Sequence, residues 1–469
     1  MALHVGVGRS DITPPADIPN GMWMAQTHVR AEGIHQELWL TAMALQDEGE
    51  SALLLDIDWC LLSDSQVVAL RGAVSEATGV AKERILPLCT HQHAGPVTQD
   101  SYAGEGASEV AAYVATLPDK AVAASLEAIR TSVPARVAVG WGSSDVGINR
   151  DLRLPDGRTV AGPNPSGHAD RTVGVVRLER EDGSPLAILV NYACHPTVLG
   201  PANRLVSPDY PGSTKRVVEQ ITGATCLFLQ GAAGDMGPTE GFVADVAVAE
   251  RLGTRLGLEA AKVALSLDAR PVRRRLDHVV ASGAPLAMFV EEPTGAPPDR
   301  LSVRSASVGL PVRDDLPTVF SRAPQRLASW SAKLESLRAT GAPATAMAEA
   351  QQNVERERLR TQRFDTYRAT RQLVVELHVV RFGPAALLVT WGEPYSWIGS
   401  EIKRRSPWPH TLVCGYLGGD PLYIATPEAY RAPVPFQVEN CPFTPEASAV
   451  LVDAALELLG KVVADAADA

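Results

Sequence analysis

The chain has 469 residues, of which 45% are hydrophobic and 21% charged, with 38 Gly and 35 Pro dispersed along it; this excludes wholesale disorder, collagen and coiled coil. Its length admits about three domains of ~150 residues, or one or two large α/β units. A formal charge of −11, from 54 acidic and 43 basic residues, removes the electrostatic footprint of a generic nucleic-acid binder, and no basic patch stands out.

The opening MALHVGVGRS has no basic segment followed by an apolar one, and the longest apolar runs are strand-sized. The expectation is a soluble, cytoplasmic protein with no stable membrane association. Cys60, Cys89, Cys194, Cys226, Cys414 and Cys441 lie far apart without a CxxC, and we read them as reduced core thiols rather than disulfides or a zinc ribbon.

Short apolar runs alternate with amphipathic stretches. In chain order the sequence predicts strand Ala52–Asp58, helix Asp64–Ala77, strand Ile85–Thr90 and helix Ser108–Arg130. Strands Ala135–Trp141, Thr172–Leu178 and Ala187–Ala193 follow, then helix Gly212–Ile221, strand Thr225–Leu229 and helix Phe242–Ser266. The last group is strands Leu373–Phe382 and Ala385–Thr390, helix Pro394–Arg404, strand Leu412–Gly415 and helix Thr444–Ala466, which starts with an N-capping Thr and a Pro suited to the first turn. This alternation predicts a layered α/β fold with a mixed β-sheet and the active site at strand ends. Ala281–Ser321, rich in Pro, Gly and Arg, breaks the rhythm, and a polar helical run, Gln325–Arg371, follows it. We read 281–371 as an insertion, mainly helical, within a single domain spanning 1–469; its charged helices are a solvated pair or a partner-binding element.

Chemistry collects where strands end. In Cys89–Pro96 (CTHQHAGP) an extended backbone would turn His91 and His93 to the same side, towards one ion or one substrate, or leave them as surface histidines. Leu186–His195 is an apolar run ending in His195, where Pro196 stops the strand. Thr225–Pro238 runs into a Gly-rich turn holding Asp235; it lacks the spacing of a phosphate loop and would bring amides and Asp235 close to a ligand or to the histidines. Glu393 lies at the corner after Ala385–Thr390, as a metal ligand, a general base or a helix N-terminal charge. Gly415–Tyr430 carries three tyrosines, two of them read as packing.

These corners, in this order, resemble the neutral ceramidase family, the zinc-dependent non-lysosomal amidases. The similar blocks are VGVGRSDITPP, THQHAGP, NYACHPT, SPDYPG, QGAAGDMGP, WGEPYSWIGSEIKRRSP and YIATPEAY. The resemblance implies Zn2+ held by His91, His195, Glu393 and Tyr423, a donor set that suits a borderline ion and leaves room for a metal-activated water. It further implies that His93 lines the site and hydrogen-bonds the water or an oxyanion. Arg150 resembles the arginine that meets the substrate carbonyl, the alternative being a loop salt bridge, and Asp235 would orient a ligand histidine.

Three departures accompany the resemblance. Gly237 stands where ceramidases carry a serine, which closes a serine acyl-enzyme route from that position. Trp391-Gly392-Glu393 replaces Pro-Gly-Glu, and an export signal and C-terminal β-sandwich are not seen in this sequence. The expected function is therefore a zinc-dependent hydrolase that cleaves an amide bond in a soluble small molecule. A lyase or an ester or lactone hydrolase on a polar metabolite, and a non-catalytic metal-binding homologue, are the alternatives; true ceramidase activity ranks lower.

Overall fold

The computed structural model describes residues 2–20, 22–23, 25–96, 104–270, 272–295, 297–315, 321–367, 369–418, 423–431, 435–439 and 441–467. Strands β1 (His4–Asp11), β2 (Trp39–Asp47), β3 (Glu50–Ile57), β4 (Ile85–Cys89), β5 (Val133–Ser143), β6 (Thr172–Arg180), β7 (Pro185–Tyr192) and β8 (Thr225–Gln230) form one sheet. Its order is β8-β7-β6-β5-β1-β2-β3-β4. The outermost pairs, β3–β4 and β7–β8, are parallel and the others antiparallel, so the sheet is mixed.

The parallel pairs require crossover helices. Helix α1 (Asp64–Thr78) links β3 to β4; Ser63 and Gln66 close a capping box at its start, and Gly79, at φ 76°, ends it in the left-handed conformation. Helices α2 (Ala107–Val114) and α3 (Leu117–Arg130) replace the single helix expected over 108–130, the break falling before Pro118 in the first turn of α3. Helices α4 (Asp209–Thr222) and α5 (Val246–Ser266) cover the same face of the sheet beyond β7 and β8.

A hairpin of β9 (Val272–Ser282) and β10 (Ala284–Pro293) then projects with almost every residue exposed. The second sheet follows: β11 (Leu301–Pro311), β12 (Gln372–Phe382), β13 (Ala385–Thr390) and β14 (Thr411–Cys414), in that order, with β13 and β14 parallel. Helices α6 (Ala323–Ala339) and α7 (Ala344–Tyr367) lie between β11 and β12, while α8 (Ser396–Arg405) and α9 (Ala447–Ala467) cover the outer face of this sheet.

The two sheets pack face to face. Leu54, Leu88, Leu189 and Leu229 of the first meet Val380, Phe382, Leu387 and Leu412 of the second in one buried cluster. Alternation along each strand sends the intervening residues to the helices: Leu53 and Leu55 pack towards α1 and α3, Ile188 and Val190 towards α4 and α5. The result is four layers, helix-sheet-sheet-helix, which is the layered α/β class expected from the sequence.

Two corrections follow. The sequence reading did not include strands β1 and β2; in β1 (HVGVGRSD) Gly6 and Gly8 dilute the apolar alternation. Those glycines let α3 lie against the strand, since a Cβ at either would collide with the carbonyls of Ala128 or Ala124. The stretch 281–371, read as one insertion, holds three different things: the end of an exposed hairpin, a strand of the second sheet paired along its whole length with β12, and the helix pair.

The first sheet curls until its edges meet. Phe228 of β8 donates its N–H to Asp56 Oδ2 of β3 at 3.0 Å, and Lys215 of α4 places its Nζ 3.2 Å from Asp56 and 2.8 Å from Asp58. All three side chains are buried, and burial raises the Asp56 pKa to about 6 against the pull of Lys215. Lys215→Met removes the cation and leaves two buried carboxylates without it. A loss of about 3–5 kcal/mol is expected in urea unfolding at neutral pH, whereas an unchanged midpoint would show that the triad does not brace the fold.

Candidate functional site

Every corner singled out in the sequence opens at the C-terminal end of a parallel strand, the rim where open α/β sheets bind ligands. β4, β7, β8, β13 and β14 run into the segments that hold His91, His195, Asp235, Glu393 and Tyr416. The rim forms because the curl of one sheet and the packing of the second bring these five ends together.

His91 leaves β4 with Thr90 and His91 donating their N–H groups to Ile57 and Trp59, and then turns at φ 70°. It is therefore not extended, and the period-two argument for His91 and His93 fails. The two rings nevertheless converge, Nε2 to Nε2 at 3.4 Å, because a left-handed residue folds the chain back on itself. His91 Nδ1 lies 2.8 Å from the Cys60 carbonyl, and His195 Nδ1 lies 2.7 Å from that of Ala233. Each carbonyl fixes a tautomer that presents Nε2 to the centre, as ligand histidines need.

Glu393 enters from the other sheet. Gly392, at φ 75°, makes the turn after β13 that no side-chain-bearing residue adopts easily. Glu393 Oε2 then stands 3.0 Å from His195 Nε2 and 3.6 Å from His91 Nε2. One donor atom from each of His91, His195 and Glu393 lies within 4.8 Å of the others, and all three side chains are buried. Tyr423 is aligned with Glu393 in a short parallel bridge, which brings its hydroxyl to 3.3 Å from Arg150 Nη2. Trp391, which stands two residues before Glu393, is half-buried against the apolar cluster on the outer face of the second sheet.

A second trio, Cys60, His91 and His93, also has donor atoms within 4.8 Å. Burial pushes the Cys60 thiol well above its ordinary range, so it meets a cation as a neutral group. The trio containing Glu393 supplies a carboxylate and two imidazoles that burial holds well below their usual pKa, hence unprotonated. Burial likewise takes His93 down to about 4, and its Nδ1 has no partner among the described residues.

Arg150 follows a short strand, Gly147–Asn149, that pairs with Met236–Pro238, and its own N–H donates to Asp235 O at 2.8 Å. Its Nη2 donates to Gly234 O at 2.8 Å and sits 3.2 Å from His195 Nε2. Burial opposes its charge, yet Tyr423, Glu393 and Tyr416 outweigh that and keep the guanidinium protonated. Among the described residues no carboxylate forms an ion pair with it, so the loop salt bridge considered from the sequence is not what holds Arg150.

Asp235 takes a different part from the one expected. Its carboxylate accepts from Ser396 N at 2.6 Å, Ser396 Oγ at 3.1 Å and Asn149 Nδ2 at 3.2 Å, and bonds no histidine among the described residues. The orientation of His195 falls to Ala233 instead. Asp235 braces the first turn of α8, directly after Glu393, and burial raises its pKa to about 6.

Tyr416, one of the two tyrosines of Gly415–Tyr430 read as packing, sets its ring 4.4 Å from that of His91, at the centre. Two further residues were not singled out from the sequence. Trp23 lies 5.2 Å from His93, and Phe242, read only as the start of a helix, is edge-on to Trp23 at 5.6 Å. Arg150, Gly237, Pro238, Thr239 and Phe242 help line a cleft of about 330 Å³ beside the centre. At Gly237 a Cβ would stand 3.4 Å from the Arg150 side chain, an ordinary contact, so the position has room for a side chain.

Gly234 has no such room. A Cβ there would lie 2.5 Å from Glu393 O and 3.0 Å from Tyr395 Cδ1. Gly234→Ala is expected to shift the Glu393 turn, cost about 1–3 kcal/mol and weaken metal uptake, while Gly237→Ala leaves both unchanged. Thermal unfolding and zinc titration of the two variants check this contrast.

The chain is similar to known proteins in sequence and in fold. Residues 3–250 match the N-terminal domain of the neutral/alkaline non-lysosomal ceramidases. Neutral ceramidases A and B of Dictyostelium discoideum are 27% identical over 226 residues and 26% identical over 259, which is 45% and 50% of this chain and 31% and 36% of those proteins. The match to each thus spans about a third of the relative's length. The crystal structure of neutral ceramidase from Pseudomonas aeruginosa, 18% identical, superposes with a TM-score of 0.66 over 98% of this chain and 74% of that one, a likeness of fold. The chain belongs to the neutral/alkaline non-lysosomal ceramidase family, whose N-terminal domain model it matches over more than half of its length.

Proposed function

We propose that the protein is a zinc-dependent amidohydrolase acting on an amide bond of a soluble small molecule. The observation that carries this is the convergence of His91, His195 and Glu393, from three strand ends on two sheets, beside Tyr423 and a cleft of about 330 Å³. Two imidazoles, a carboxylate and a phenol oxygen fit zinc, and their orientation by the Cys60 and Ala233 carbonyls supports the fit. Zinc, when bound, supplies Lewis-acid polarisation of the acyl carbonyl and acidifies a water.

The chain's own groups do the rest. Arg150 lines the cleft with a buried charge that no carboxylate of the described residues pairs, and it orients the acyl oxygen. His93, neutral and with a free ring nitrogen, accepts or passes a proton beside His91. Asp235 holds the Glu393 turn through Ser396 and acts on position rather than on the substrate. A cleft of this volume, lined by glycines and prolines together with Arg150, Thr239, Glu240, Phe242 and Val243, supports a compact substrate over a long acyl chain. Among the described residues no helix is long and apolar enough to cross a membrane.

Purified protein is expected to carry about one zinc per chain; less than half would count heavily against the reading, as would a His91→Ala variant that keeps its zinc and activity. Product mass separates reaction classes, since hydrolysis of an N-acetylated amino acid adds a water and elimination does not. We further take the compartment to be the cytoplasm, on the strength of six buried, unbridged cysteines. Thiol titration in denaturant without reductant should return all six, and a shortfall would point to oxidation in another compartment.

A further inference from the structure

We propose that the Tyr416 hydroxyl is a hydrogen-bond donor to the acyl oxygen of the scissile amide, together with Arg150. This rests on the amidohydrolase reading of the same site. Tyr416 is held where a bulky residue rarely sits, at φ 63°. Its N–H donates to Gly392 O at 3.0 Å and its carbonyl accepts from Cys89 N at 3.4 Å, which pins its backbone between the turns that carry Glu393 and His91. The ring lies 4.4 Å from that of His91 at 36° and 6.0 Å from that of His195 at 82°. Apart from His93, it is the one side chain with an orphaned polar atom whose ring contacts both imidazoles, among the described residues.

The side chain is 1% exposed, and its hydroxyl has no hydrogen-bond partner among the described residues. The ring is packed on that of His91 and meets His195 edge-on, the two imidazoles that Glu393 approaches, so Tyr416 forms part of the wall of the centre. A ring needed only for packing would be served by phenylalanine, without the cost of burying an unpaired hydroxyl. Backbone strain and an orphaned donor at one residue are the mark of a group whose partner arrives with the substrate.

In the reaction, water's oxygen joins the acyl carbon, the carbonyl π pair moves onto the acyl oxygen, and Tyr416 and Arg150 hydrogen-bond that oxygen without giving up a proton. When the pair returns, the C–N bond breaks and the amine leaves with a proton from the water. A donor aimed at developing negative charge is worth ~10²–10³ in kcat.

The test is Tyr416→Phe in the zinc-loaded full chain, read by zinc content, thermal unfolding, affinity for acetohydroxamic acid by calorimetry, and turnover of N-acetylated amino acids. Zinc and fold should be kept, with a midpoint no lower than wild type. Hydroxamate should bind ~10-fold more weakly and kcat fall ~10²-fold with little change in KM. Affinity and kcat within twofold of wild type would overturn the proposal, and so would loss of zinc or stability, which would make Tyr416 structural. A wild type that takes up zinc and hydroxamate but cleaves no amide sinks the amidohydrolase reading, and the hydroxamate arm then still decides whether Tyr416 is a donor.

Discussion

The buried triad of Lys215, Asp56 and Asp58 closes the first sheet on itself, and the site depends on that closure. Lys215 rises from the crossover helix between β7 and β8, while both aspartates come from the end of β3, 157 and 159 residues away in the chain. An ammonium flanked by two carboxylates is costly to bury and costlier to break, so the arrangement holds one geometry rather than many. With the edges joined, the end of β4 faces the turn after β8. Asp58 extends the effect one step further, since its carbonyl lies 3.4 Å from Gln92 Nε2, between the two histidines.

Around that frame the centre is built by turns under constraint. His91 and Tyr416 adopt left-handed backbones and Gly392 needs one, all three at strand ends and all three tied by backbone hydrogen bonds to a neighbouring strand end. Burial keeps the imidazoles neutral while Arg150 stays charged against Glu393 and the two tyrosines. Neutral nitrogen donors beside one carboxylate are a set that could hold a metal ion.

Membership of the ceramidase family sets the architecture, and this chain varies it at the wall of the cleft. Gly237 faces Arg150 with room for a side chain that is absent, and the cleft beside it is bounded by glycine, proline and threonine backbone turns.

Much of this was legible in the sequence, for a local reason. Buried strands announce themselves as apolar runs, and a Pro or Gly marks where they stop, so His91, His195 and Glu393 could be placed at strand ends residue by residue. Strand β1 was hidden because Gly6 and Gly8 serve a contact with α3 and spoil the pattern of their own strand. Strand β11 was hidden in a Pro-, Gly- and Arg-rich stretch, and only its pairing with β12 makes it part of a sheet. The sequence by itself therefore determined the fold class and the strand ends that carry reactive side chains, because both follow from short-range apolar pattern. Convergence of those ends, the turn that aims His93, the bracing part of Asp235 and the orphaned hydroxyl of Tyr416 were decided only by tertiary structure. Each depends on the meeting of segments far apart in the chain, such as the 198 residues between His195 and Glu393, and no local pattern records such a meeting.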